Sequence, residues 1–463
     1  MIKNFFGGKL FWQNVFRLGL PIAIQNLLIS SFSLIDTIMV GQLGDVSLSA
    51  VGMAGQWTWL LNLVLFGFYS GSSVFISQYW GVKDIKKIHN IYGILFIHAV
   101  ILSIGFTAVG FFAPSFVVHL FTNTPDVVNE GVAYLRIAVF SYLAIALNGA
   151  FSTLLRSTEN VKLPMYTSCI STAANALLNY ILIFGKLGFP AMGVAGAAVA
   201  TCISAWISPV LLLCAAFRQK NIMYANIKNI FNFPKQMVFN FYKISSPVIF
   251  NETTWGLGTF IYNMVFGHMS YKNYAALTIY RTVEGIAFVF FVGLCNACSV
   301  ILGKLIGAGE IEEGKRTAKR FSLISPVLGI IIGFAMILLQ NQIIFIFNVN
   351  GGLSESTVNT VKGLIWIAGT EYFMRLVPYI QIVGIFRPGG DTLTGMILDL
   401  IFLWGFALPV TFISAVVLKL PFLAVMAIML YCEDTLKSIL CIRHMLSNKW
   451  IKPITEQGKK AMK

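Results

Sequence analysis

The sequence predicts an all-α membrane protein: twelve transmembrane helices in two six-helix lobes related by an internal repeat. Three observations predict it. Apolar residues make up 57% of the 463 positions before the 40 glycines are added, and charged residues only 11%. A soluble domain has about 45–50% and roughly 25%. Apolar runs long enough to cross a bilayer recur along the whole chain, and the second half repeats the first. Mean hydropathy is +0.78. So few charges cannot cover a soluble surface of this size, which excludes a soluble enzyme, a secreted disulfide scaffold and a disordered chain.

A membrane helix needs about 20 mostly apolar residues. The first run, 15–40, follows a basic, aromatic amino terminus with no cleavable signal pattern. Runs 49–80 and 91–113 lie in the charge-free stretches 46–82 and 88–125. Runs 132–154, 163–185 and 193–217 complete the first half, and the last of them is rich in Gly and Ala. After a polar stretch come 239–268, 274–304, 320–347 (largely within the charge-free 321–354), 359–386, 393–417 and 421–445. A β-barrel would show alternating segments of about ten residues, and none occurs. The expected organisation is an amino-terminal lobe at 1–218, a linker at 219–238 and a carboxy-terminal lobe with a short basic tail at 239–463.

Twelve spans put both termini on one side, and 26 of the 33 Lys and Arg fall on it, Arg156, Arg387 and Lys437 included. The positive-inside rule makes that side cytoplasmic. The net charge of +15 thus follows from topology and gives no evidence for a nucleic-acid partner. A monomer in the cell membrane is expected, with the lipid bilayer as its surroundings.

The repeat has a shift of 226 residues. Pro21 matches Pro247, Gly41 matches Gly267, Ser73-Val74 matches Ser299-Val300 and Gly81 matches Gly307. Five residues further on, Leu155-Arg156 faces Phe386-Arg387 and Asn160 faces Asp391. Six helices plus six, both starting on the same side, form parallel repeats, an architecture suited to alternating access.

Polar residues inside the spans are the functional candidates, since an Asp or Lys at a helix centre costs about 2.5–3.5 kcal/mol on insertion scales. Gln25, Asn26, Ser30, Ser33, Asp36 and Thr37 form a polar stripe that should face a cavity. Ser168, Ser171, Thr172, Asn175 and Asn179 form another. Asn175 and Asn179, one turn apart, can offer carbonyl oxygens to a hard cation such as Na⁺ or hydrogen-bond Asp36; the alternative is polar contact between helices. Glu252 follows Pro247 by about a turn and shares a face with Trp255, Gly256, Thr259, Tyr262 and Asn263. A carboxylate beside aromatic rings attracts an organic cation.

Other polar groups read more plainly. Glu284 with Arg281, and Glu371 with Arg375, have the spacing of intrahelical ion pairs. Asp399 is a relay group or a packing contact. Glu433 and Asp434, near Lys437, read as a cytoplasmic helix end. The C-x-x-C of Cys295 and Cys298 lacks a second ligand pair and reads as helix packing. Gly309 to Arg316 has Arg where a phosphate-binding loop needs Ser or Thr. With no ATPase segment, no enzymatic activity and no cofactor are expected. Transport is then driven by an ion gradient, passive, or dependent on a partner.

Several segments resemble the multidrug and toxic compound extrusion (MATE) transporters. Leu20 to Gly44 (LPIAIQNLLISSFSLIDTIMVGQLG) and Ala50 to Gln56 resemble their first helix and the stretch after it. Gly193 to Thr201 (GVAGAAVAT) resembles their sixth helix, Asn251 to Gly258 (NETTWGLG) their seventh, and Ile385 to Thr392 (IFRPGGDT) their helix 10–11 turn. The resemblance runs from about Phe16 to Arg443. It implies a V-shaped pair of six-helix lobes and export of small organic cations in exchange for Na⁺ or H⁺. It carries an ion-site role to Asp36, Asn175 and Thr201, and a cation- and substrate-binding role to Glu252. Where some members have an aspartate one turn after Asn175, this sequence has Asn179. The helix-10 acid of one branch has no counterpart at Leu376 to Gln381. Two other readings differ in kind: a lipid-linked saccharide flippase of the related superfamily, which would want more interior cations, and a non-transporting membrane scaffold, which would need no acids on polar stripes.

Overall fold

Twelve long helical segments follow one another from Lys9 to Leu446 in the computed structural model, which describes residues 8–226, 230–269, 271–347 and 355–462. They are α1 (Lys9–Gly41), α2 (Asp45–Gly81), α3 (Ile85–Phe112), α4 (Pro125–Ser157), α5 (Lys162–Phe184), α6 (Gly193–Gln219), α7 (Lys235–Met269), α8 (Tyr271–Gly307), α9 (Ile311–Leu338), α10 (Glu355–Tyr379), α11 (Thr392–Val417) and α12 (Phe422–Leu446). Nine of these are long and apolar enough to cross a bilayer among the described residues. The other three, α7, α10 and α12, are the ones that carry Glu252, Glu371 with Arg375, and Glu433 to Lys437. Polar residues such as Asn251, Thr253 and Thr254, together with these charges, lower the mean hydropathy of all three.

Local chemistry sets the ends. Asp84 caps α3 by accepting from the Lys87 backbone N–H at 3.1 Å, satisfying one of the donors a helix start leaves open. Gly185, at φ 67°, ends α5 in the left-handed conformation that glycine adopts without strain. Proline disturbs the later helices: Pro378 near the end of α10 precedes a π-helical stretch, Ile380–Phe386, and α11 contains two more, Ile401–Ala407 and Ile413–Val417. The missing N–H of proline breaks the regular ladder, and a wider turn re-pairs the freed carbonyls.

Packing divides the chain into two units. The amino-terminal unit holds Ile24–Ile76 and Lys83–Tyr242; the carboxy-terminal unit holds Met1–Ala23, Ser77–Val82 and Lys243–Lys463. Helix α1 therefore begins in the carboxy-terminal unit and α2 ends there. In lipid, helices gain little from hiding apolar surface from each other, so close approach decides their packing. In the carboxy-terminal unit a Cβ on Gly333 of α9 would lie 2.1 Å from the Gly369 carbonyl of α10, so only glycine permits this crossing. Phe266, Phe291, Tyr372 and Phe386 are fully buried there. Cys295 and Cys298 are buried free thiols in the same core, with Cys298 Sγ 3.2 Å from the Gly384 carbonyl. In the amino-terminal unit Val40, Ile183 and Ala197 form an apolar cluster with Tyr134 packed against it.

The basic tail is docked. Trp450 is fully buried, Ile451 bridges Gly390, and the Lys452 N–H donates to the Gly389 carbonyl at 2.7 Å. The Ile454 N–H donates to Gln78 at 2.7 Å and Thr455 Oγ1 to the Gly307 carbonyl at 2.6 Å.

Candidate functional site

The amino-terminal unit gathers one carboxylate and several neutral polar groups from three helices. Asp36 sits on α1 near its end. Asn179, on α5 and almost wholly buried, donates from Nδ2 to Asp36 Oδ1 at 2.5 Å. Asn175 lies one turn earlier on the same face. With its amide nitrogen towards the carboxylate, it donates to the two Asp36 oxygens at 3.1 and 2.7 Å and accepts from Ser204 Oγ at 3.0 Å. This orientation is assigned from the hydrogen bonds it satisfies. Ser204, on α6, has the Thr201 carbonyl as a second acceptor within reach of its one hydroxyl proton, at 3.1 Å. Tyr134 of α4 lies close to Thr201 and within the electrostatic reach of Asp36.

Among the described residues no Lys, Arg or His forms an ion pair with Asp36. Its charge is met by amide donors alone. Asn179 Oδ1 is buried with no hydrogen-bond partner, an oxygen left over beside a carboxylate. Oxygen ligands around one negative charge suit a hard cation. Asp36, Asn175, Asn179 and Thr201 thus come together, and Tyr134 and Ser204 join them. Neither of these two stands out in the sequence, because a lone Tyr or Ser in an apolar helix has no pattern to mark it. Of the first-helix stripe, Gln25 turns to another partner, donating to Ser168 at 2.6 Å and accepting from Arg156 at 2.5 Å. The side chain of Ser33 lies outside the described residues.

The carboxy-terminal unit corrects several expectations. Glu252 is not an isolated carboxylate: Arg387 Nη2 lies 2.7 Å from its Oε1, with the arginine side chain only 4% exposed. Arg387 was expected in a loop. The turn after the π-helical stretch instead buries it. The expected face of Glu252 also divides. Trp255 is largely exposed. Thr259 donates back to the Trp255 carbonyl at 3.1 Å, Tyr262 points to Glu433 at 3.4 Å, and Asn263 accepts from Arg281. Neighbouring Asn251 donates to Asp399 at 2.9 Å.

The remaining acids join a buried charge cluster. Arg375 of α10 pairs with Glu284 of α8, not with Glu371. Lys437 of α12, expected at an exposed helix end, is 9% exposed and lies 3.5, 3.5 and 3.4 Å from Asp399, Glu433 and Asp434. Glu371 is fully buried, and neither of its oxygens receives a hydrogen bond.

Known proteins place this architecture. The MatE family model matches residues 21–181 and 247–413, one copy in each half. The chain is 24% identical over 444 residues to a probable multidrug resistance protein NorM of Thermotoga maritima, covering 95% of this chain and 93% of that one. It is 24% identical over 418 residues to the probable multidrug resistance protein YoeA of Bacillus subtilis, covering 89% of each. A MATE transporter structure in an outward-facing conformation superposes with a TM-score of 0.83 at 17% identity, covering 94% of this chain and 96% of that one. One in a bent conformation gives 0.82 at 18% identity, covering 98% and 97%. Two matched repeats covering most of the sequence, and a shared helical fold, establish that this chain belongs to the MatE family and is a MATE transporter.

Proposed function

We propose that this transporter exports amphipathic organic compounds, cations among them, by exchange for Na⁺ or H⁺. The observation that carries this reading is Asp36, a half-buried carboxylate held by the amides of Asn179 and Asn175 with no basic partner among the described residues. Such a group gives a coupling ion and a cationic substrate one negative charge to compete for. The names of the relatives, multidrug resistance proteins, support a broad range of small organic substrates. The concentration of Lys and Arg on one side of the twelve spans supports a cell-membrane protein with both termini in the cytoplasm.

In this scheme the ion arrives from outside and binds at Asp36, with Asn175, Asn179 and Thr201 offering oxygens. The carboxylate is neutralised and an organic cation is released outwards. Returned to the inside, the site gives up the ion and takes the next substrate. One elementary charge moved across 100 mV supplies about 2.3 kcal/mol, enough for roughly a fiftyfold gradient. A saccharide flippase fits less well, since three interior cations, Arg375, Arg387 and Lys437, already face carboxylates.

The test is efflux of a fluorescent organic cation from proteoliposomes under a Na⁺ gradient and a pH gradient imposed separately. Efflux driven by either one, and lost in Asp36→Asn, is expected. Equal efflux with and without gradients would sink the exchange scheme.

A further inference from the structure

The internal repeat supplies its own control for one interior cation. Arg387 and Arg156 occupy matching positions at the ends of the tenth and fourth spans. In the carboxy-terminal unit Arg387 meets Glu252 of α7 at 2.7 Å. The first-helix residue that matches Glu252 under the 226-residue shift is Asn26. The amino-terminal unit thus keeps the arginine and lacks the acid.

The surroundings of Arg156 match that substitution. Its Nη2 donates to Gln25 Oε1 at 2.5 Å, while its Nε is buried with no partner. Among the described residues no carboxylate forms an ion pair with it, whereas Arg387 pairs with Glu252. Ser152, one turn earlier on α4, also has a buried hydroxyl without a partner. Long helical side chains lean towards the preceding turn, so the guanidinium and this hydroxyl share a face. Gln25 and Ser168, both nearly fully buried, line the same place and are joined at 2.6 Å. The position of Arg156 in the last turn of α4 lets the helix dipole offset only a small part of its charge. A partly buried guanidinium normally has a carboxylate or phosphate.

We propose that Arg156, with Gln25 and Ser152, forms an anion subsite of the amino-terminal unit that takes a carboxylate or phosphate group. The inference rests on the proposed transport function and narrows its substrate class. Asp36 lies 11 residues after Gln25 on α1, about 16 Å along the helix. A unit with a cation near one end of this stripe and a carboxylate near the other is suited to zwitterionic amphiphiles. The group supplied to Arg156 stands where Glu252 stands for Arg387.

The experiment compares a rhodamine carrying a free carboxylate with the same dye as its methyl ester. Binding is read by fluorescence anisotropy on wild type, Arg156→Gln and Asn26→Glu in lipid-free detergent. Asn26→Glu installs the acid that the other repeat has, without removing the arginine. We expect the free-acid dye to lose about tenfold in affinity relative to its ester in either variant. An acid-to-ester ratio unchanged across the three proteins overturns the proposal. A ratio that drops in the variants in detergent, and also drops in wild type once the protein is in nanodiscs of anionic phospholipid, upholds the site and makes a lipid headgroup its occupant. The same ratio in anionic and neutral nanodiscs upholds it with the transported molecule as occupant. If neither dye binds, the transport reading has failed, and the subsite is read from inorganic phosphate alone. A rise in melting temperature in wild type that is absent in Asn26→Glu then sustains it, and no rise in wild type overturns it.

Discussion

Glu252 and Arg387 are joined at 2.7 Å although 135 positions separate them in the sequence, and the arginine is almost wholly buried. The pair changes how the carboxy-terminal unit works. The helix-7 carboxylate expected to attract a cation lies against an arginine held inside the unit. Breaking a buried pair from one side leaves the other charge uncompensated, at about 3–5 kcal/mol. Glu252→Gln is therefore expected to destabilise the protein by that order. The double variant Glu252→Gln/Arg387→Gln should lose clearly less than the two single losses combined. Thermal unfolding in detergent checks this; strict additivity would mean that the ion pair does not couple the two residues.

Asp36 has the opposite character. Its partners are amides, so replacing it by Asn keeps the size and much of the hydrogen bonding with Asn175 and Asn179. Asp36→Asn should therefore fold, with a melting temperature within a few degrees of wild type. Gradient-driven efflux should fall by at least about tenfold, because the charge that ion and substrate compete for is gone. Retained efflux in a folded variant would place coupling elsewhere, with the buried cluster of the carboxy-terminal unit next in line.

The fold was legible in the sequence because lipid makes its demands continuously: each span must be long and apolar, and the repeat doubles every signal. The Asp36 site was partly legible for the same reason, since Asp36, Asn175 and Asn179 are exceptions on apolar helices. The pairing of charges was not. Arg156, Arg387 and Lys437 sit close to span ends, where counting charges treats a residue as solvated. Whether a terminal turn opens to water or folds inwards depends on π-helical stretches and neighbouring helices that periodicity does not register. Arg375 had a correctly spaced partner in Glu371 on its own helix and chose Glu284 across the bundle instead. Local spacing lists the partners within reach; packing between helices selects among them.

Glu371 tests that selection. It is fully buried, and neither oxygen has a donor, with the Asp434 carboxylate within electrostatic reach. Most substitutions of a buried polar group destabilise. Glu371→Gln should not, because the amide N–H supplies a donor that an ionised carboxylate lacks. The expected gain is about 0.5–1.5 kcal/mol, the net worth of a single hydrogen bond. Glu371→Leu should lose stability instead, since Asp434 would keep a carboxylate oxygen facing an apolar wall. A Gln variant less stable than the Leu variant would show that the added amide donor finds no acceptor. The measurement is the denaturation midpoint of all three proteins at one pH.

Asp391 predicts a pH dependence, and it lies in the turn before α11, outside the spans. Its side chain is wholly buried and accepts from Lys452 Nζ at 2.7 Å, from His444 Nε2 at 2.7 Å and from Thr394 Oγ1 at 3.0 Å. Burial pushes its carboxyl up, but the hydrogen bonds from Lys452, His444 and Thr394 outweigh burial and hold it below its ordinary value of 3.8. The ionised form is thus favoured more in the folded protein than in the unfolded one. The stabilisation it gives is fully present above 3.8 and is lost as pH falls through the lower folded value. Asp391→Asn should cost about 1–3 kcal/mol at neutral pH, and its deficit relative to wild type should shrink on acidification. Because Lys452 belongs to the docked tail, the loss should appear first as proteolytic access to residues 447–462, ahead of unfolding of the bundle. A deficit that stays constant from neutral to strongly acidic pH would mean that the Asp391 charge does not hold the tail, and that the buried Trp450 and the main-chain bond from Lys452 to Gly389 suffice.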